Sequence, residues 1–524
     1  MPEPAIDTIL VLDFGGQTCQ LIARRIRECG VYSRVLPGDI PLAEVDAFDQ
    51  VRGIVLSGSP ASVHDAGAPA PDPDLLCRGL PVLGICYGMQ HMMHRGGGVV
   101  SATHVSEYGR ARVERVGESP LFAGIPATFR SWMSHGDAVE RVADGYRRVA
   151  GSEYGAVAAV ESVDAAAPPV YGIQFHPEVS HTEYGSRILG NFATAICGAR
   201  RQWDLTSFEQ RAVAKVRAAV GAEPVVLMIS GGVDSTVVAA LLLKALPADQ
   251  VHLLYVDTGL MRLQETEEVH ATLHGLGASH VQVVDAADRF YAALAGATEP
   301  ETKRRIIGDL FIEVQRDAVR QECSDGFLAQ GTLYTDLIES GRGVGAKAHV
   351  IKSHHNVAAP LIAERRDAGL LLEPLASLYK DEVRRLGEAL GVPAKVIARH
   401  PFPGPGLAVR ILGEVTRERC DLLRAVDAIY LQELRSRGLY DQITQAFAVL
   451  LPVRSVGVTG DSRRYGEVVA LRAVVSDDFM TAEVFPFETA ALLEISARIT
   501  NEVPAVGRVV YDVSSKPPAT VEWE

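Results

Sequence analysis

Ser230-Gly231-Gly232-Val233-Asp234-Ser235 follows five apolar residues, Val225 to Ile229, and precedes the apolar run Thr236 to Leu246. The first run reads as a buried parallel strand and the second as a buried helix. A strand that feeds a helix through two glycines is an anion site. The glycines admit close backbone approach, the first N–H groups of the helix lack partners, and the helix dipole favours negative charge there. Ser230 and Ser235 add hydroxyl donors. A carboxylate among such donors, Asp234, fits chiefly as the holder of a divalent cation. An ordinary capped turn would explain a bare Gly-Gly, but not six consecutive residues that all fit. No Gly-Lys-Ser/Thr is present, so the stretch is not the phosphate loop of kinases and GTPases.

The chain around it has 524 residues, enough for about three or four domains, with 47% hydrophobic and 22% charged residues. That is a core-forming composition. A net charge of −14 argues against nucleic acid and membrane surfaces as partners. No apolar run reaches spanning length and the first residues do not resemble a leader, so the expected location is cytoplasmic. Seven cysteines (19, 29, 77, 86, 197, 323, 420) occur without a Cys-x-x-Cys pair, which indicates neither a disulfide framework nor a zinc site.

Residues 1–201 read as a first domain. Apolar runs at Ile9 to Phe14, Tyr32 to Leu36, Gly53 to Leu56 and Pro81 to Ile85 alternate with helix-compatible stretches such as Thr18 to Cys29, the pattern of a parallel sheet covered on both faces. Two loops fall at strand ends, Ser57-Gly58-Ser59-Pro60 and Gly84-Ile85-Cys86-Tyr87-Gly88. The second has the form of a strained elbow that lifts a nucleophile, here Cys86, onto a helix start. A helix start and a neighbouring imidazole both favour the thiolate. The segment Val170-Tyr-Gly-Ile-Gln-Phe-His176-Pro-Glu178 places His176 and Glu178 two residues apart, facing one way if the strand continues, so the acid can orient the base. A lone Cys or His is more often a core residue; the elbow together with His-Pro-Glu is not explained that way.

Residues 202–399 read as a second parallel α/β domain, with strands at Val251 to Val256, Val281 to Val284, Gly326 to Ala329 and His349 to Ile351. The Gly-rich basic stretch Ser340 to Asn356 reads as a lid bringing cations to phosphate, and Lys380 opens a helix as a phosphate contact. The run His400-Pro-Phe-Pro-Gly-Pro-Gly406 marks a boundary. Residues 400–524 read as an α+β domain, with strands at Leu407 to Leu412, Val453 to Gly457, Val468 to Val475 and Arg508 to Val513, and helices at Arg417 to Leu434 and Glu488 to Asn501. The tail Tyr511 to Glu524 holds a strand, two prolines and a Trp, and reads as ordered.

These motifs carry three resemblances. Residues 230–235 resemble the pyrophosphate loop of the ATP pyrophosphatases, of adenine-nucleotide α-hydrolase-like fold, which cleave ATP to AMP and pyrophosphate by adenylating a substrate oxygen. The first domain resembles the class I glutamine amidotransferases. That implies Cys86 as nucleophile, His176 as base and Glu178 as orienting acid, with Gln90 and Ser134-His135-Gly136-Asp137 gripping glutamine. The oxyanion donors would be the Tyr87 N–H and the Gly58-Ser59 loop. That family usually has a second glycine where Ser59 stands, and a residue with a Cβ reaches fewer φ values. The expectation is a free enzyme with an incompletely formed oxyanion hole, activated when its other substrates bind.

The whole chain, including Lys352-Ser-His-His-Asn and Ser515-Lys-Pro-Pro-Ala-Thr-Val-Glu, resembles the GMP synthase family. This implies ATP as co-substrate at Ser230, Gly231, Gly232, Val233, Asp234, Ser235, Val256, Gly331, Lys352 and Lys380, with Mg²⁺ on Asp234. It also implies XMP at Arg304, Lys516, Val521 and Glu522, and a homodimer formed through the third domain. Glutamine-dependent NAD synthetase shares the Gly-Gly-x-Asp-Ser loop and is the alternative, although it usually carries a different glutaminase. A tRNA-thiolating enzyme would need carrier cysteines, and Cys323 is the one cysteine in residues 202–399. A non-catalytic nucleotide sensor would be expected to lack Cys86 or Asp234.

Overall fold

The computed structural model describes residues 6–524 apart from 47, 49, 76, 77, 323–325, 340–359, 460, 461, 477, 478 and 480. The described residues divide into two compact units, 6–208 with 337–339, and 209–336 with 360–524.

The first unit is built on β1 (Thr8–Asp13), β2 (Tyr32–Pro37), β3 (Val51–Leu56), β4 (Val82–Ile85), β5 (Val99–Arg115), β6 (Thr128–Arg141), β7 (Tyr146–Ser152), β8 (Val157–Ser162) and β9 (Val170–Ile173). They form one sheet in the order β2-β1-β3-β4-β9-β8-β7-β5-β6. Strands β1 to β4 and β9 run parallel, and residues 9–12 of β1 are fully buried, as expected of strands covered on both faces. The antiparallel strands β5 to β8 were not among those expected from sequence. In β6 the burial alternates from residue to residue, so one face is wet and no continuous apolar run marks the strand.

In the second unit β10 (Val225–Ile229), β11 (Val251–Asp257), β12 (His280–Asp285), β13 (Phe327–Ala329) and β14 (Leu371–Leu372) form a parallel sheet ordered β12-β11-β10-β13-β14. The chain turns from one side of β10 to the other, which makes the carboxyl end of β10 the switch point where ligands gather in such sheets. Helix Val233–Ala245 follows directly and is buried on nearly every side. Full burial of Leu241 and Leu242 is worth roughly 2 kcal/mol each. The expected strand His349 to Ile351 lies outside the described residues.

A third sheet belongs to the same unit: β15 (Gln445–Thr459), β16 (Ser462–Val475), β17 (Glu483–Val484) and β18 (Val506–Tyr511), with helices Arg417–Ser436 and Thr489–Glu502. One hydrophobic cluster runs from Val256, Leu260 and Phe290 through Leu407 and Ile411 to Tyr430, Ile495 and Val506. Residues 400–406 are therefore a packed joint. The His400 ring stacks on Tyr440 at 3.8 Å, its Nδ1 accepts from the Ala446 N–H (3.2 Å), and its Nε2 donates to the Tyr440 carbonyl (3.0 Å). Burial, set against these bonds, holds His400 down at about 4. The expected strand Leu407 to Leu412 is instead a 3₁₀ turn, Gly406–Arg410. Its apolar residues are buried on all sides around the fully buried Arg410, so the run has no strand period to obey.

The expected ordering of the tail is observed. Fully buried Arg472 donates to the carbonyls of Ser514, Thr520 (2.9 Å) and Val521 (3.4 Å), and Trp523 donates to Asp512 (3.0 Å). Among the described residues no helix is long and apolar enough to cross a membrane.

Candidate active sites

In the first unit the adjacent strands β4 and β9 bring the segments of Cys86 and His176 side by side. Their last paired residues are Ile85 and Ile173, and the Cys86 N–H donates to the Ile173 carbonyl at 2.7 Å. Cys86 has φ 53° and ψ −108° at the start of helix Tyr87–Arg95, the left-handed backbone of a strained elbow. The flanking glycines permit it. A β-carbon on Gly84 would lie 2.6 Å from the Gly88 carbonyl carbon, and one on Gly88 would lie 2.5 Å from the Leu56 oxygen.

Strand β9 ends at Ile173, short of the Phe175 expected, so His176 and Glu178 meet in the loop after it. His176 Nδ1 donates to Glu178 Oε1 at 2.7 Å, and both side chains are buried. Burial opposes the imidazolium, but Glu178 and the Cys86 sulfur outweigh it and hold His176 well above its usual value. A protonated His176 is the state reached once it has taken the thiol proton.

Gly58 lies against this pair: a β-carbon there would be 3.4 Å from His176 Cε1 and 3.8 Å from Cys86 Cβ. Ser59 is not among the described residues with a left-handed φ. Its Oγ accepts from the Ala61 N–H at 3.2 Å, a local turn that any serine can make. The steric ground for an incomplete oxyanion hole is therefore absent. Ser59→Gly is expected to change glutamine hydrolysis by the free enzyme less than about twofold, because the loss of a weak turn bond exposes no buried group. A rise of tenfold or more in the initial rate would restore the steric argument.

Gln90 is buried, and its Nε2 donates to the Asp137 carbonyl (2.7 Å) and to Gln174 Oε1 (3.2 Å). The Ser134 carbonyl lies 3.8 Å from Cys86 Sγ. Beneath it, His135 sets Nδ1 on the Asp137 carbonyl (2.9 Å) and Nε2 on Glu107 (3.2 Å), and Asp137 accepts from Ser62 (2.6 Å). The segment Ser134 to Asp137 is thus fixed beside the sulfur.

At the carboxyl end of β10, Gly231 has φ 76° and Gly232 caps the helix. The Ser230 and Ser235 hydroxyls bond each other at 3.1 Å, and the Gly232 N–H donates to Ser230 Oγ at 3.3 Å. Val233 begins the helix, and Val256 is a buried residue of β11 whose side chain belongs to the core. A β-carbon on Gly331 would lie 3.3 Å from Asp234 C and Ser235 N, so its strand end closes directly on the loop. Asp234 Oδ2 is 3.8 Å from Lys380 Nζ, while Oδ1 is buried without a hydrogen-bond partner. Burial pushes the Asp234 carboxyl up, Lys380 opposes that, and Asp336 adds to it. Lys352 lies outside the described residues. Arg399, which motif reading did not single out, donates to the Gly231 carbonyl at 3.0 Å and pairs with Glu265.

Comparison with known proteins assigns the family. The family model described as "Glutamine amidotransferase class-I" matches residues 10–196, "NAD synthase" matches 206–307, and "GMP synthase C terminal domain" matches 432–523. A glutamine-hydrolyzing GMP synthase of Chlorobium chlorochromatii is 48% identical over 522 residues, covering 99% of this chain and 100% of its own. Those of Zymomonas mobilis and Aquifex aeolicus are each 48% identical, covering 99% and 98% of this chain and 98% and 99% of their own. The chain belongs to the glutamine-hydrolysing GMP synthase family. Its match to NAD synthase is confined to the ATP-handling part, and the alternative drawn from that loop falls away against GMP synthases matched end to end.

The remaining GMP synthase motif is the tail. Lys516 Nζ donates to the Phe479 carbonyl at 2.6 Å, and Val521 packs in a small cluster with Phe447 and Val449. Glu522 forms a two-point pair with Arg410 (3.1 and 2.8 Å) and accepts from Gln445 (2.7 Å). Arg410 is itself set over the rings of Phe447 (4.1 Å) and Phe402 (5.0 Å). Arg304 donates to the Glu524 carbonyl, and the buried Lys303 pairs with the Glu524 carboxylate at 2.6 Å. Arg410 and Gln445 had no local sequence signal, since each meets Glu522 only through the fold.

Proposed function

We propose that this chain makes GMP from XMP and ATP with nitrogen released from glutamine, giving AMP, pyrophosphate and glutamate. The observation that carries this is the assembled Cys86, His176 and Glu178 in a chain matched end to end by GMP synthases, with an intact phosphate loop bearing Asp234. His176 takes the thiol proton and the sulfur attacks the glutamine amide carbon. The C–N bond breaks and ammonia leaves with the proton from His176. Water then cleaves the thioester, releasing glutamate and restoring the sulfur. The Tyr87 N–H and the Gly58-Ser59 loop carry the oxyanion charge.

In the second unit Ser230 to Ser235 and Lys380 hold the ATP phosphates while the XMP carbonyl oxygen attacks the α-phosphorus. Pyrophosphate leaves, and ammonia displaces AMP at the purine carbon. Mg²⁺, when bound, supplies charge neutralisation on the phosphates. Asp234 would hold it, with an unpartnered buried oxygen to offer. One carboxylate suffices, since Mg²⁺ takes most of its other ligands from phosphate and water. Dimerisation through residues 400–524 and a cytoplasmic setting complete the reading. The test is the fall in absorbance as XMP becomes GMP with ATP and ammonia; ATP with deamido-NAD should release no AMP. The opposite pattern would overturn the reading.

The tail supplies an expectation of its own. An ammonium has three donors, and Lys516 uses one on Phe479, leaving two for the XMP phosphate. Lys516→Ala should raise the KM for XMP by about ten- to a hundredfold, the worth of one charged hydrogen bond, and leave the KM for ATP little changed. If both constants rise alike, or only the melting temperature falls, Lys516 packs the tail and does not hold substrate.

A further inference from the structure

We infer that Gln174 is a further catalytic residue of the glutaminase site, a side-chain donor that holds the Cys86 sulfur as thiolate. The inference rests on the reading of Cys86 as nucleophile, and nothing in the His-Pro-Glu motif required it. Gln174 is fully buried, and its Nε2 lies 3.5 Å from Cys86 Sγ. Its orientation is forced. The Gln90 amide must turn N–H toward the Asp137 carbonyl (2.7 Å), and a second N–H of the same nitrogen meets Gln174 Oε1 at 3.2 Å. Gln174 is therefore left with its NH₂ end on the sulfur. Two amides in series run from the backbone of the Ser134 to Asp137 segment to the reacting atom.

A satisfied core glutamine would be the bland explanation, but the partner it has found is a poor one unless the sulfur is charged. A thiol sulfur accepts weakly and a thiolate strongly. A buried amide N–H aimed at a thiol is close to an unpaired donor, whereas aimed at a thiolate it is paired, so the arrangement favours the charged form. The Ser134 carbonyl, 3.8 Å from Sγ, can receive an S–H but offers nothing to a thiolate. Gln174 therefore acts twice in one turnover. It favours the thiolate before the S–C bond forms, and again when that bond breaks and its electron pair returns to sulfur.

The test is the pH dependence of Cys86 alkylation by iodoacetamide in the full chain, with Cys86→Ala giving the background of the other cysteines. In Gln174→Met the midpoint should move up by about one pH unit, and kcat for glutamine hydrolysis should fall about tenfold with KM for glutamine changed less than about threefold. Should the Met protein not fold, Gln174→Glu keeps the acceptor for Gln90 and exchanges only the donor. Measured above about pH 7, it should give at least the same shift. An unmoved midpoint, or a raised KM with kcat intact, would make Gln174 a packing residue and overturn the inference. Full glutamine hydrolysis in Cys86→Ala would instead overturn the reading beneath it.

Discussion

Replacing Cys86 by Ala should abolish glutamine-dependent GMP formation and leave ammonia-dependent formation close to that of the parent chain. Loss of the nucleophile of a triad removes the covalent route entirely, so a fall of about a thousandfold or more is expected. The substitution is structurally mild. Alanine keeps a β-carbon and so keeps the left-handed strain at φ 53°, and the volume removed is that of one sulfur atom. The phosphate loop belongs to the other compact unit. Cys86→Gly is the useful companion, because glycine releases the strain that Ala retains. It should be as inactive with glutamine as Cys86→Ala while melting no lower, given that such strain costs about 1–3 kcal/mol. Initial rates with glutamine and with ammonium salt decide the matter. Glutamine-dependent GMP formation surviving in either variant would sink the assignment.

The elbow and the His-Pro-Glu run were legible because each is a local signal: two glycines around a cysteine at a strand end, and a base and acid two residues apart. For the same reason β10 and the helix after it were placed to within a few residues. The contacts these motifs make across the chain were not legible. Gln174 meets Cys86 across 88 positions, Arg410 meets Glu522 across 112, and Arg399 meets Gly231 across 168. No periodicity encodes such meetings; they exist only once the sheets have set their strand order. The 3₁₀ turn at Gly406–Arg410 was misread as a strand for a related reason. An apolar run buried on every side looks alike in either conformation, and the fully buried Arg410 inside it is intelligible only beside Glu522 and the two phenylalanine rings. The boundary set at residue 400 followed the prolines and glycines, and one cluster of side chains runs across it.

Asp234→Asn should collapse GMP formation with either nitrogen donor, and this separates the phosphate loop from every role of Cys86. In the unliganded chain Asp234 is poorly placed as an anion. Burial and Asp336 both push its carboxyl up, Lys380 at 3.8 Å offsets only part of that, and Oδ1 has no hydrogen-bond partner. A divalent cation removes all three difficulties at once, since it supplies the missing partner, neutralises the repulsion from Asp336 and favours the ionised form. Asparagine keeps the shape and one oxygen but not the charge, so the site would attract the proposed Mg²⁺ less while the fold loses little. The unliganded variant should even be slightly more stable than the parent, because an amide is less costly to bury beside Asp336 than a carboxylate. The expected pattern is an ammonia-dependent rate reduced by about a hundredfold or more, the scale on which removal of a charge-stabilising group acts. Added Mg²⁺ should recover little of it, and the melting temperature should be equal or higher. Glutamine hydrolysis in the absence of ATP and XMP should be unchanged, because the triad lies in the other unit. A variant that regains the parent rate in excess Mg²⁺ would place the cation's main ligands elsewhere, and a variant that melts lower would make Asp234 a structural partner of Lys380.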